Sequence, residues 1–227
     1  MRFGPVETAQ AEGAVLAHSI ALPSGRLRKG LRLAPSHLDA LRAEGIETVV
    51  VAQLSAGDVD ENTAAAQVAQ AVLADHPHLT MTRAFTGRVN LLADGPGIVH
   101  LDVAALEALN AVHPMITLAT VPPFQQMAAG GMVATIKIIS YAVADHDLDA
   151  ACEAGRGAIR MLPPQIKDAT LIITEIDGGA GDKGKKAIAD RLSALDVTLK
   201  DIVIVPHEIS ALRDAIAAAD TALTLIL

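Results

Sequence analysis

The sequence predicts a mixed α/β fold. An N-terminal α+β module (residues 1–145) precedes a helix and linker (residues 146–166) and a parallel β-α-β-α-β unit (residues 167–227). Three observations predict this order. The last third alternates buried apolar runs with amphipathic stretches, which is typical of parallel strands joined by right-handed crossovers. The first two thirds mix short strand-like and helix-like pieces without an internal repeat. Pro163 and Pro164 end the helix predicted before them and mark the boundary between the two parts.

The composition predicts a core of aliphatic side chains. Hydrophobic residues make up 51% of the chain, but aromatic residues make up only 2%, with one Tyr and no Trp. Alanine, valine, leucine and isoleucine must therefore fill the core, which suits helices packed on a sheet. So few aromatic rings argue against a protein that binds nucleic acid by base stacking.

The formal net charge of −8 makes nucleic acid a poor partner, because the field of the whole molecule repels a phosphate backbone. A small anionic ligand at a local basic site is still compatible with this charge. No apolar run reaches the roughly 18 residues of a membrane span, and the N-terminus shows no secretory signal. The single cysteine, Cys152, cannot form an internal disulfide. We therefore expect a cytoplasmic protein without a membrane partner.

Turn residues and periodicity predict the N-terminal elements. A strand begins near Pro5, a turn falls at residues 22–25, and residues 26–30 mix charged and apolar side chains as a half-solvated edge strand does. Ser36 is a candidate N-cap for the helix that follows. The run at residues 48–52 predicts a buried strand.

The middle region predicts further helices and strands. Asp58 and Asp60 precede an Ala-rich helix and suit its positive N-terminal end. Short β-like pieces follow between residues 79 and 102. Helical periodicity marks Val103–Val112 and residues 147–162. Two more strands are predicted at residues 117–121 and 132–139.

The last third predicts where a ligand would bind. Strands are expected at residues 169–174, 201–205 and 222–227, and helices begin at Lys185 and Pro206. In parallel sheets of this kind, ligands sit beyond the carboxyl ends of the strands. The glycine-rich turn after the first strand and the residues after the second strand are therefore expected at one rim.

The glycine-rich turn nearly matches the phosphate-binding P-loop, since four residues separate Gly179 from Gly184 and Lys185 follows. That motif needs Ser or Thr after the Lys, because the hydroxyl binds magnesium. Lys186 stands in that place, and the second strand ends in Pro206 rather than in an Asp that could hold the metal. A P-loop nucleotide-binding protein is therefore the less favoured alternative.

Several short motifs in the last third carry a family resemblance. Residues 182–184 (DKG) and the helix after them, followed by residues 204–208 (IVPHE) and a second helix, resemble the molybdopterin-binding fold. That fold occurs in molybdopterin adenylyltransferases and molybdopterin molybdotransferases. Residues 11–18 (AEGAVLAH) and 27–30 (LRKG) look like the start of bacterial proteins of the same pathway.

The resemblance implies a molybdopterin-binding protein of molybdenum cofactor biosynthesis, with molybdopterin as ligand and nucleotidyl- or molybdotransferase chemistry in the full-length protein. Backbone N–H groups of the glycine turn and nearby lysines would hold the pterin phosphate. A carboxylate such as Asp182 would bind a pterin amine or Mg²⁺. The implied ligand-binding residues are Glu175, Gly178, Gly179, Gly181, Asp182, Lys183, Gly184, Lys185 and His207.

The sequence departs from the family at two points. His207 stands where the family usually has an acidic residue, and Leu227 lies at the end of the third strand, where the family's domain continues. We therefore expect a truncated molybdopterin-binding domain, as the N-terminal part of a longer protein or as a degenerate copy, that is inactive in transfer on its own. A non-catalytic binding or scaffold module is the alternative. Ala- and Val-rich faces beside a cut-off domain suggest self-association into a homo-oligomer.

Plainer interpretations stay open for individual residues. Asp182 is equally a counter-charge to its lysine neighbours in a solvated loop, and for His207 an exposed residue at a helix start is the favoured interpretation. His76 and His78 lie two residues apart, but zinc sites need three or four ligands, so no metal site is predicted. Cys152 is expected to be a small core residue.

Overall fold

The structure, a computed structural model, describes residues 1–176 and 184–227. It is mixed α/β, as the sequence predicts, and its buried apolar side chains form three clusters. We name the surrounding parts of the chain the N-terminal unit (residues 1–53), the middle unit (residues 58–162) and the C-terminal unit (residues 168–227). The predicted module of residues 1–145 thus contains two cores. No helix in the described ranges is long and apolar enough to cross a membrane.

The N-terminal unit is a three-stranded antiparallel sheet with a hairpin and one helix. β5 is the central strand, between β1 and β2, and β3 pairs with β4 across the predicted turn. The elements are β1 (Arg2–Glu7), β2 (Val15–Leu16), β3 (Ile20–Leu22), β4 (Gly25–Leu27), α1 (Pro35–Ala43) and β5 (Thr48–Gln53).

The predicted N-cap of α1 was wrong by two residues. Ala34 is the N-cap, and its backbone N–H donates to Nδ1 of His37 at 3.0 Å. Pro35 occupies the first helical position, where its fixed φ suits the helix and its missing N–H has no helical partner to lose. Ser36 therefore lies inside the first turn rather than before it.

The middle unit packs three helices on small antiparallel sheets. Its strands pair in the orders β10-β12-β8-β7, β11-β9-β14 and β13-β6. The elements are β6 (Asp58–Asp60), α2 (Glu61–Leu73), β7 (Leu79–Met81), β8 (Arg88–Ala93), β9 (Gly97–Leu101), α3 (Val103–Val112), β10 (Ile116–Thr120), β11 (Gln126–Met127), β12 (Met132–Ile138), β13 (Ala142–Ala144), α4 (Asp145–Ala154) and β14 (Ile159–Leu162).

The helix predicted at residues 147–162 was correct only as far as Ala154. Gly155 caps α4, and Gly157 has a φ of +65°, a left-handed conformation that turns the chain away from the helix. Residues Ile159–Leu162 then form β14, which pairs with β9. Both α4 and β14 contribute buried side chains to the middle core.

The C-terminal unit is a three-stranded sheet in the order β16-β15-β17, and β15 pairs in parallel with both neighbours. Within the described residues, Ala169, Leu192 and Val197 form its buried cluster. The elements are β15 (Asp168–Glu175), α5 (Lys185–Ser193), β16 (Thr198–Pro206), α6 (Ile209–Ala218) and β17 (Leu223–Ile226).

Candidate functional site

The strands of the C-terminal unit end together at one edge of the sheet. In the register of the two parallel pairs, Glu175 is opposite Pro206 and Ile172 is opposite Ile226. Thr174, Glu175, Pro206, His207 and Leu227 therefore share one rim, which we call the carboxyl edge. This is the position where parallel α/β sheets bind ligands.

His207 ties the ends of β15 and β16 together. Its backbone N–H donates to the carbonyl oxygen of Glu175 at 2.9 Å, and its Nδ1 lies 2.9 Å from Oγ1 of Thr174. The Thr174 hydroxyl donates to the carbonyl oxygen of Leu227 over a long 3.4 Å. A hydroxyl has one proton, so while it donates to Leu227 its Oγ1 accepts from Nδ1–H, and in the neutral tautomer with that proton Nε2 is an acceptor.

Glu175 and Leu227 complete the carboxyl edge. The backbone N–H of Leu227 donates to Ile172, and its carbonyl accepts from the N–H of Thr174, each at 2.9 Å, so Leu227 extends the ladder of β17. Glu175 is partly exposed beside His207. The structure thus brings two predicted ligand residues, Glu175 and His207, into backbone contact.

The start of α5 lies against the same edge. Gly184 is the N-cap of α5, and a Cβ at this position would collide with the side chain of Leu227. Glycine offers no side-chain acceptor to the first-turn N–H groups, and those groups carry the positive end of the helix dipole. Lys185 is the first helical residue and is partly buried, whereas Lys186 pairs with Asp190 at 2.6 Å in the exposed part of the helix.

Part of the predicted site lies outside the described residues. Gly178, Gly179, Gly181, Asp182 and Lys183 belong to the segment of residues 177–183, and so does most of the P-loop-like run. The described members of the predicted set are Glu175, Gly184, Lys185 and His207. Three further residues complete the edge: Thr174, Pro206 and Leu227. Thr174 and Pro206 lie at the predicted ends of their strands, whereas Leu227 carries no ligand-type side chain that sequence reasoning could have recognised.

Within residues 1–176 and 184–227, no group of three or more His, Cys, Asp or Glu side chains is arranged to hold a metal ion. Cys152 is packed against the middle core, and burial, reinforced by the negative charge of Asp149, raises the pKa of its thiol. A thiol with a raised pKa is a poor nucleophile, so Cys152 has the inert role expected of a structural cysteine.

Residues 5–53 match the family described as Domain of unknown function (DUF8806). This range begins within β1 and ends at the last residue of β5, so it coincides with the N-terminal unit and its separate core. No curated protein matches the chain.

Proposed function

We propose that this chain binds molybdopterin at the carboxyl edge, as a pterin-binding protein of molybdenum cofactor biosynthesis. One observation supports the location: β15, β16 and β17 are parallel and end together beside the start of α5. Sheets with this arrangement bind ligands beyond the strand ends. The resemblance of residues 167–227 to the molybdopterin-binding fold supplies the identity of the ligand.

The basic side of the edge suits the phosphate of the ligand. The first turn of α5 presents backbone N–H groups and about half a positive charge. Lys185 adds a full charge at the first helical position. The phosphate would therefore lie over the start of α5.

The acidic side of the edge suits the pterin ring, whose amine and ring N–H groups are hydrogen-bond donors. The partly exposed Glu175 carboxylate is an acceptor of this kind. Nε2 of His207 is a second acceptor in the neutral tautomer that carries its proton on Nδ1, and the ring is held in place by the bond between Nδ1 and Thr174. The two sides of the edge thus match the two ends of one ligand.

Binding without transfer is the activity that we propose for this chain alone. The described polar groups at the edge bond to each other, with His207 on Thr174 and Thr174 on Leu227, which positions them for recognition. A scaffold that presents the pterin to another domain uses the same contacts. In a larger nucleotidyl- or molybdotransferase, this edge would hold the substrate. We assign Mg²⁺ no step.

A fluorescence titration with molybdopterin under anaerobic conditions tests the function. The double variant Lys183→Ala/Lys185→Ala should bind at least about tenfold more weakly than the wild type, because each charged contact to a phosphate contributes roughly 1.5 to 3 kcal/mol when desolvated and less when exposed. Lys200→Ala, an exposed lysine on β16, is the matched control. Equal affinities of the wild type and the double variant would contradict the proposal.

A further inference from the structure

Tyr141 joins the N-terminal unit to the middle unit. Its hydroxyl donates to the carbonyl oxygen of Ala17 at 2.9 Å, and its ring stacks on Phe3 with 6.0 Å between centroids. Its own carbonyl accepts the N–H of Glu61, the first residue of α2, at 3.0 Å. Tyr141 therefore contacts both units, which are also bridged by the N-terminal ammonium of Met1 and the Asp58 carboxylate at 2.7 Å.

A cavity of about 340 Å³ lies beside this tyrosine, at the boundary between the two units. Its volume is within the range of small-molecule sites. We call it the joint cavity. It is lined by Lys29, Gly30, Glu61, Thr86, Lys137, Ile139 and Tyr141.

Two lysine ammonium groups line this cavity, and neither has a carboxylate within salt-bridge distance in the described residues. Nζ of Lys29 lies 5.6 Å from the centroid of the Tyr141 ring, and Nζ of Lys137 donates to the carbonyl oxygen of Thr86. Each ammonium has three donors, so both keep hydrogen-bonding capacity for a ligand.

Glu61 is the acidic group of the cavity. Burial raises the pKa of its carboxyl, and the charges of Lys137 and Lys29 oppose that shift. The neighbouring Asp60 carboxylate is occupied as the N-cap of α2, where it accepts from the N–H groups of Asn62 and Thr63. The cavity therefore has two cations against one partly buried acid.

A rigid turn forms one wall of the cavity. Thr86 and Gly87 both have positive φ, +48° and +69°, as in the tight turn of a two-residue hairpin. The N–H of Gly87 donates to Oδ1 of Asn62 at 2.9 Å. A Cβ on Gly87 would lie 2.7 Å from the carbonyl oxygen of Ile138 and 3.0 Å from Oε2 of Glu61. The turn is thus locked against α2 and fixes the carbonyl that holds Lys137.

We propose that the joint cavity binds a small phosphate monoester. The phosphoryl dianion contacts the ammonium groups of Lys29 and Lys137, which bind phosphate as point charges. The ester part lies along the apolar side chain of Ile139, and Glu61 hydrogen-bonds a hydroxyl of that part. In a protein with a net charge of −8, a cavity where cations outnumber acids is a local basic site. This site is independent of the carboxyl edge.

Tyr141 supplies a site-specific reporter, because the chain has one Tyr and no Trp. Its fluorescence can be followed in the full chain while glycerol 2-phosphate is titrated at constant ionic strength. Inorganic phosphate, sulfate and glycerol are the comparison ligands. The variants are Lys29→Gln and Lys137→Gln. Lys200→Gln removes the same charge from β16, outside the residues that line the cavity, and is the control.

We expect a saturable change with glycerol 2-phosphate, tighter than with inorganic phosphate or sulfate and absent with glycerol. Each cavity variant should weaken binding by about tenfold, and the control should not change it. Circular dichroism checks that each variant is folded, and Lys29→Gln is the safer change because Lys29 is exposed. The proposal would be overturned by any of three results: no saturation with glycerol 2-phosphate, equal affinity for sulfate and glycerol 2-phosphate, or an unchanged affinity of Lys29→Gln for glycerol 2-phosphate.

Discussion

The hydroxyl of Tyr141 donates to the carbonyl oxygen of Ala17 at 2.9 Å, and this bond crosses the boundary between two separate hydrophobic cores. Tyr141→Phe removes the bond but keeps the ring that stacks on Phe3. We expect a loss of about 1 kcal/mol in the free energy of unfolding, the usual net contribution of one hydrogen bond. Urea unfolding followed by circular dichroism measures it. A variant as stable as the wild type would show that the bond does not couple the two units.

Gly87→Ala tests the locked turn beside the joint cavity. The new Cβ would meet the carbonyl oxygen of Ile138 at 2.7 Å, and the residue would keep a left-handed φ of +69°. We expect a loss of at least about 2 kcal/mol, because the left-handed conformation alone costs roughly 1 to 2 kcal/mol and the backbone must also shift.

Gly13→Ala is the matched control for that substitution. Gly13 has a φ of +74°, but a Cβ added there would have nothing within 4 Å of it. Gly13→Ala should therefore lose only the free energy that a left-handed φ costs, with no loss from a steric clash. If the two variants lose the same stability in thermal unfolding, the close approach of Gly87 to Ile138 has no energetic importance.

Asp60→Ala tests the N-cap of α2 and its pH dependence. Burial alone would raise the pKa of Asp60, but hydrogen bonds from the Thr63 hydroxyl and from the N–H groups of Thr63 and Asn62 outweigh it, so the pKa is lowered from 3.8. A folded-state pKa below the unfolded value stabilises the protein above about pH 4, and this stabilisation is lost as the pH falls through the folded-state pKa.

Asp60→Ala should therefore be less stable than the wild type by about 1 kcal/mol at pH 7, the usual cost of losing an N-cap. The difference should shrink as the pH falls below 3.8. Urea unfolding of both proteins at several pH values gives the comparison. A difference that grows on acidification would have the wrong sign for this explanation.

Thr174→Val removes the hydroxyl that holds His207 while keeping the β-branched shape that a strand favours. The loss in stability should be at most about 1 kcal/mol, since the pair is exposed to solvent. Molybdopterin affinity should fall, because the His207 ring is no longer oriented. Thr198→Val, at the amino end of β16, is the control. If Thr174→Val and Thr198→Val bind molybdopterin with equal affinity, the orientation of His207 does not contribute to binding at the carboxyl edge.

Local sequence patterns correctly predicted elements whose conformation depends on residues close in the sequence. Val103–Val112 has helical periodicity and forms α3 with these bounds, and Asp60 caps α2 as its position before an Ala-rich run predicts. Residues Ile159–Leu162 fit a helix equally well, and only their pairing with the distant β9 makes them a strand. Such a non-local partner cannot be read from a short apolar run.

In the two candidate sites, too, some residues could be placed from the sequence and others depend on packing between distant elements. Alternating strands and helices along the sequence are enough to place Glu175 and His207 at one rim. The contact between Leu227 and Gly184 depends on how β17 and α5 pack, and no motif indicates it. Lys29 and Lys137 belong to different units, so no spacing in the sequence reveals that they line one cavity.

The most direct test of the proposed function is an amide NMR titration of the ¹⁵N-labelled chain with molybdopterin. If molybdopterin binds at the carboxyl edge, saturable shifts should appear at Thr174, Glu175, Gly184 and His207, with the amides around Tyr141 unchanged. Shifts confined to the joint cavity, or no saturable shift at the carboxyl edge at millimolar ligand, would contradict the proposed function.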